Sequence, residues 1–268
     1  MNLTLVTGLI AVTLYAVSSG LALRQLRDNL QPKKVLFLTL GWVAALCHCW
    51  SLWHLMVTPQ GVALGIFPIA SAITLSGALL VLISSLYRPL EWVSLMVFPA
   101  AILLLPPALF LHSGYIPQPF APGLATHIVL SILAYATFTI ATCQSILIML
   151  QHRQLKQGDL RGLLRLLPPI QTMETMLFEL LWGGVILLTL AIIIGFVYVQ
   201  DLVAQHLAHM TVLTLVGWLI FALLLVGRHF LGWRGITAGR LTIAGFIMLM
   251  MAFFGTKVVL DLLHHQLI

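Results

Sequence analysis

The sequence predicts an all-α fold: a polytopic integral membrane helical bundle of about eight transmembrane helices with both termini outside. Two observations carry this. Lys and Arg gather at Arg24, Arg27, Lys33 and Lys34, at Arg88, at Arg153, Lys156, Arg161 and Arg165, and at Arg228, Arg234 and Arg240, whereas residues 57–65, 112–124 and 200–209 contain neither. Positive connections stay in the cytoplasm, so every second connection is cytoplasmic. The second observation is composition: 61% of residues are apolar, 7% are charged and the mean hydropathy is +1.08. A soluble domain carries roughly a quarter charged residues.

A hydrocarbon core needs about 20 apolar residues per helix. The apolar runs that meet this are residues 3–23, 35–56, 66–87, 92–111, 125–151, 175–199, 210–228 and 241–264. The first is read as a membrane helix rather than a signal peptide, because Met1-Asn2-Leu3 has no positive start and no small-residue cleavage site precedes Arg24. The second holds Cys47, His48 and Cys49 among Trp42, Trp50 and Trp53. In the fourth, Pro99, Pro106 and Pro107 remove backbone donors and should kink or break the helix. Pro117, Pro119 and Pro122 should stiffen the outer connection that follows. Between the fifth and sixth runs, Leu160 to Leu167 is apolar with Arg161 and Arg165 four apart, a stretch able to lie in the membrane interface or simply to loop back. Pro168-Pro169 should stop any helix there. Near the end of the last run, Lys257 can snorkel toward head groups.

No hydrophilic stretch is long enough for a second domain, so residues 1–268 read as a single membrane domain. The formal charge of +6 sits at helix ends on one side, which argues for topology and anionic lipid as its partners and against nucleic acid. Cys47, Cys49 and Cys143 lie inside apolar runs and read as small buried hydrophobes rather than disulfides. No Ser-His-Asp arrangement, HExxH or phosphate-cradling glycine loop is present, and no enzymatic activity is expected.

Ten histidines are the chain's chemical resource. On this topology His54, His112, His127, His206, His209, His264 and His265 lie near the outer face, His152 and His229 at the inner face, and His48 within the membrane. An ionisable ring at membrane depth is costly unless paired or ligated. His127 stands out because His127, Ser131, Tyr135, Thr139 and Thr142 follow helical spacing and form a polar stripe, which should turn toward protein. His264 closes the last run at the same outer level, so two imidazoles from separate helices can approach one site, as axial ligands approach a haem iron. His48 cannot form a metal cluster with its neighbouring cysteines, because successive helical residues diverge by about 100°. Alone, it fits a flat aromatic ligand lying against the second helix, as well as an ordinary aromatic belt. His229 is an internal ligand candidate, and His206 with His209 could hold a transition metal weakly.

Several segments resemble the cytochrome c assembly family of membrane proteins, the CcsA, CcmC and HemX-like group, and among these its YpjD-type members. Thr126-His127-Ile128-Val129-Leu130-Ser131-Ile132-Leu133-Ala134-Tyr135-Ala136 looks like the family's His-Val…Ser-Tyr-Ala helix. Pro168-Pro169, Met173-Glu174, Phe178, Gly184, Leu188-Thr189-Leu190 and Gly195 are similar to the next helix; His229 with Gly232-Trp233-Arg234-Gly235 and Gly245-Phe246 to the one after; and Phe254-Gly255-Thr256-Lys257 with His264 to the family's ending. The resemblance covers residues 120–268 well and Leu46-Cys47-His48 more loosely, giving a family-like region of about residues 35–268. It implies a protein of the bacterial inner membrane that handles haem, of b type, with His127 and His264 as axial ligands of the iron. It also implies that His229 corresponds to a histidine inside the membrane with His48 as its partner, and that other cytochrome assembly proteins are partners. Haem-delivering members carry a tryptophan-rich outer segment before the seventh helix; here that stretch reads Gln205-His206-Leu207-Ala208-His209-Met210-Thr211, without tryptophan. The resemblance therefore implies an accessory or regulatory member. Two rival readings remain from the residues alone: a transporter or transporter subunit for a small solute or metal, with the interrupted fourth helix and polar stripe lining its path, and a structural membrane partner.

Overall fold

The computed structural model describes residues 3–28, 34–87, 91–111, 122–157, 167–198 and 205–255. Among these, eight helices are long and apolar enough to cross a membrane. Large apolar side chains such as Leu103, Val129, Phe196 and Leu219 are exposed, as expected where the surrounding solvent is lipid.

The contacts group the chain into two compact units, Met1–Ala121 and Pro122–Ile268. The first contains α1 (Leu3–Asp28), α2 (Lys34–Met56), α3 (Ile66–Tyr87) and α4 (Glu91–Phe110). Here α1 packs on α2 and α4, and α3 on α2 and α4. Their core is aromatic: Tyr15 lies 4.8 Å from Phe98, which stacks with Phe37 at 6.0 Å. Gly41 lets α2 approach, since a methyl there would sit 2.5 Å from Leu82. Small residues at such crossings replace the hydrophobic drive that lipid does not supply.

Two features of this unit bear on the sequence expectation, which allowed a kink or a break at the prolines of the fourth run and named no strand. α4 runs unbroken through Pro99, Pro106 and Pro107. Within hydrocarbon, ending a helix exposes more unpaired backbone than a proline removes, so the helix continues. The connection after α2 carries a small antiparallel hairpin, β1 (Val57–Thr58) with β2 (Gly61–Val62), the only strands among the described residues. Gly61 takes φ +135°, a region that side chains disfavour, and the Thr58 hydroxyl donates to its carbonyl at 2.8 Å.

The second unit contains α5 (Pro122–Lys156), α6 (Ile170–Tyr198), α7 (Gln205–Leu231) and α8 (Gly235–Met250), with a π-helical turn at Met251–Gly255 completing the last. α5 packs on α6 and α8, and α7 on α8 and α6. Phe138 and Phe221 stack face to face at 4.0 Å and 11°. Gly184 accommodates the first ring and Gly245 the second. The Trp218 indole donates to the Thr189 hydroxyl at 2.9 Å, joining α7 to α6.

Several boundaries move, among them α1, which runs on to Asp28, and α7, which starts at Gln205. α5 continues past Gln151 to Lys156, and α6 starts at Ile170, directly after Pro168-Pro169. α8 starts at Gly235 rather than at residue 241. The reason for the last lies in the α7–α8 corner. Gly232 and Gly235 take φ +67° and +58°. The Trp233 amide donates to the Gly227 carbonyl at 3.2 Å, and its indole covers Gly227, where a methyl would lie 2.2 Å away. That tight turn starts the helix early, with Arg240 inside it but exposed. Lys257, Pro117, Pro119 and residues 158–166 between α5 and α6 lie outside the described residues.

Candidate histidine site on the fifth helix

The polar stripe of α5 turns toward its neighbours. His127 is half-buried near the start of α5, with its Nδ1 2.8 Å from the Ala191 carbonyl of α6. A carbonyl only accepts, so Nδ1 carries the proton and the neutral ring keeps its lone pair on Nε2. A backbone carbonyl holding one ring nitrogen is the usual arrangement for orienting a metal-binding histidine. Gly195, one turn beyond Ala191, makes room: a methyl there would stand 3.0 Å from both Cε1 and Nδ1 of the ring. Gly195→Ala is accordingly expected to crowd the ring off Ala191 and weaken any metal ligation by His127 about tenfold while the protein still folds. A haem or metal titration of that variant checks it, with wild-type affinity as the contrary result.

Further along the stripe, the buried Tyr135 hydroxyl donates to the Leu249 carbonyl of α8 at 2.8 Å. Thr139 is half-buried and donates to the Tyr135 carbonyl at 2.7 Å. Ser131 is half-buried and Thr142 buried. Sequence reasoning singled out Tyr135 only as a member of the stripe. Its bond to α8 depends on a helix more than a hundred residues away and has no local signal.

The other candidates separate. His48 is fully buried in the first unit, its Nε2 2.8 Å from the Ser71 hydroxyl and its ring edge-on to Tyr15 at 5.9 Å. Its Nδ1 has no hydrogen-bond partner among the described residues. Cys49 is exposed while His48 is buried, the divergence that helical geometry requires. His229 is exposed at the end of α7, against the edge of Phe230. Beside it, the Arg228 guanidinium lies 4.7 Å over the Phe178 ring. His54 and His209 are exposed. His264, His265, His112 and the side chain of His206 fall outside the described residues, so the second member of the predicted outer pair has no geometry to report. Among the described residues no group of three or more His, Cys, Asp or Glu could hold a metal ion. Among the described residues, His127 is the histidine of the predicted outer pair whose ring is oriented by a backbone carbonyl, and one imidazole so held has the chemistry of an axial ligand.

Eight helices long and apolar enough to cross a membrane define a multi-pass membrane protein. The chain belongs to the cytochrome c assembly protein family, which it matches over residues 36–264. It is 29% identical over 264 residues to the inner membrane protein YpjD of Escherichia coli, covering 96% of this chain and 99% of that one. It shares 31% identity over 147 residues with an uncharacterized 28.8 kDa protein of Azospirillum brasilense, about half of each (53% and 54%), and 26% over 134 residues with protein HemX of Brevibacillus brevis (49% of each). No solved structure matches the chain significantly. It is a multi-pass protein of the bacterial inner membrane.

Proposed function

We propose that this chain binds and handles haem at the outer face of the membrane, with His127 and His264 as axial ligands, as an accessory or regulatory member of its family. The observation that carries the reading is the His127 ring, held by the Ala191 carbonyl so that Nε2 is left with the lone pair. Family membership adds to it. Haem would supply a redox-active iron there; the chain's own part is to present imidazole, orient it and shield it within the bundle. The absence of tryptophan from the stretch 205–211, which here begins α7, supports an accessory role over delivery to an apocytochrome. His48 and His229 join the proposal as separate cofactor-binding candidates, on the family resemblance alone. His48 has only Nδ1 to offer while Ser71 holds its Nε2. Other cytochrome assembly proteins are the partners proposed.

The test is a haem titration of the purified chain beside His264→Ala. Binding that weakens on that substitution is expected; a wild type with no affinity for haem overturns the reading. The proposed orientation, basic connections inside and both termini outside, predicts that a periplasm-active reporter fused after His265 is active. Activity of a cytoplasmic reporter at the same point would reverse it.

A further inference from the structure

The first unit brings two hydrogen-bonding rings together and leaves a polar atom of each unanswered. Tyr15 stands halfway along α1 and His48 within α2, both fully buried, with their rings edge-on at 5.9 Å. Neither the Tyr15 hydroxyl nor Nδ1 of His48 has a hydrogen-bond partner among the described residues, and the Ser18 hydroxyl, one turn along α1, has none either. The same seam does satisfy a polar group elsewhere: the Ser51 hydroxyl, one turn along α2 from His48, donates to the Thr4 carbonyl of α1 at 3.0 Å. Buried polar atoms are answered by protein or by ordered water, and an ionisable ring at membrane depth is costly when it is not.

The surroundings fix what such an occupant is. Phe98 lies 4.8 Å from Tyr15 and stacks on Phe37, so one side is apolar and closed. No Asp, Glu, Lys or Arg is among the buried residues described, so an ion would find no countercharge there. The Ser71 hydroxyl, 2.8 Å from Nε2 of His48, can donate or accept, which makes Nδ1 an acceptor in one tautomer and a donor in the other. The Tyr15 hydroxyl does both. Only a neutral molecule that also does both answers either arrangement.

We propose that Tyr15 and His48 form a binding site in the first unit for a small neutral molecule that both donates and accepts hydrogen bonds, and that water occupies it. Ser71 holds the far side of the imidazole, and the free sides of both rings hold the water. The site stands without the haem reading, which rests on His127 in the other unit; a ligand role for His48 would compete for the same Nδ1.

Radiolytic hydroxyl-radical labelling of the whole chain in detergent tests this, because radicals formed from bound water oxidise the side chains beside it even where bulk solvent does not reach. Corrected for intrinsic reactivity, Tyr15 and His48 are expected to be labelled about fivefold or more above Phe138, which is equally buried but stacked on Phe221 in apolar company. Tyr15→Phe keeps the ring against Phe98 and removes only the hydroxyl. Labelling of His48 should then fall by about half or more as the water loses one of its partners, and the thermal midpoint should stay level or drop. Wild-type labelling of Tyr15 and His48 no higher than that of Phe138 overturns the proposal. Unchanged His48 labelling in Tyr15→Phe overturns the shared site. A higher midpoint in that variant also overturns it, since relief on removing the hydroxyl marks a group that nothing had satisfied.

Discussion

His127→Ala is expected to abolish the low-spin haem signature and to weaken haem binding by at least about a hundredfold, because even partners one shell removed from a metal change its affinity by 10–100-fold. The ring sits at the α5–α6 crossing with Nδ1 on the Ala191 carbonyl, so its removal leaves only a small half-buried gap. The fold should survive, and the helical circular dichroism with it. His127→Gln gives a second check: its amide can donate to Ala191 but offers no imidazole lone pair, so it should retain stability and still lose the spectrum. Absorbance titration with both variants measures this; retention of wild-type haem affinity in either would exclude His127 as a ligand.

Gly184→Val should destabilise the protein by about 1–3 kcal/mol, the cost of overpacking a filled interior. The first added carbon would stand 2.7 Å from the Phe138 ring, and that ring cannot retreat because it is stacked on Phe221 at 4.0 Å. The neighbouring residue supplies the control. A side chain at Gly183 meets nothing within 4 Å, so Gly183→Val should change stability by less than about 0.5 kcal/mol. Thermal midpoints of the two variants in one detergent compare them directly. Equal losses would mean that helix propensity, not the Phe138 stack, sets the cost.

Much of the architecture was legible because lipid simplifies the problem. Each span must satisfy its own backbone and be apolar over a membrane's thickness, so hydropathy and the alternation of Arg and Lys mark the helices with little help from tertiary contacts. What could not be read was whatever depends on a partner element. The prolines of α4 were expected to kink or break it, and the helix is not broken there. The last apolar run was read as starting at residue 241, whereas the corner made by Gly227, Gly232, Trp233 and Gly235 begins the helix earlier. The periodic stripe on α5 pointed to His127 and Tyr135 together. Their separate partners, Ala191 and Leu249, follow only from the packing of α6 and α8 on α5. Text alone also made Cys47-His48-Cys49 look like a cluster; helical divergence removes that reading, and the burial of His48 beside Ser71 agrees.

The most direct test of the central claim is the visible spectrum, oxidised and reduced, of the chain purified in mild detergent from haem-replete cells. The account predicts the sharp reduced bands of a six-coordinate, low-spin haem with two imidazole ligands, lost in His127→Ala. A colourless protein that also fails to take up added haem would contradict it.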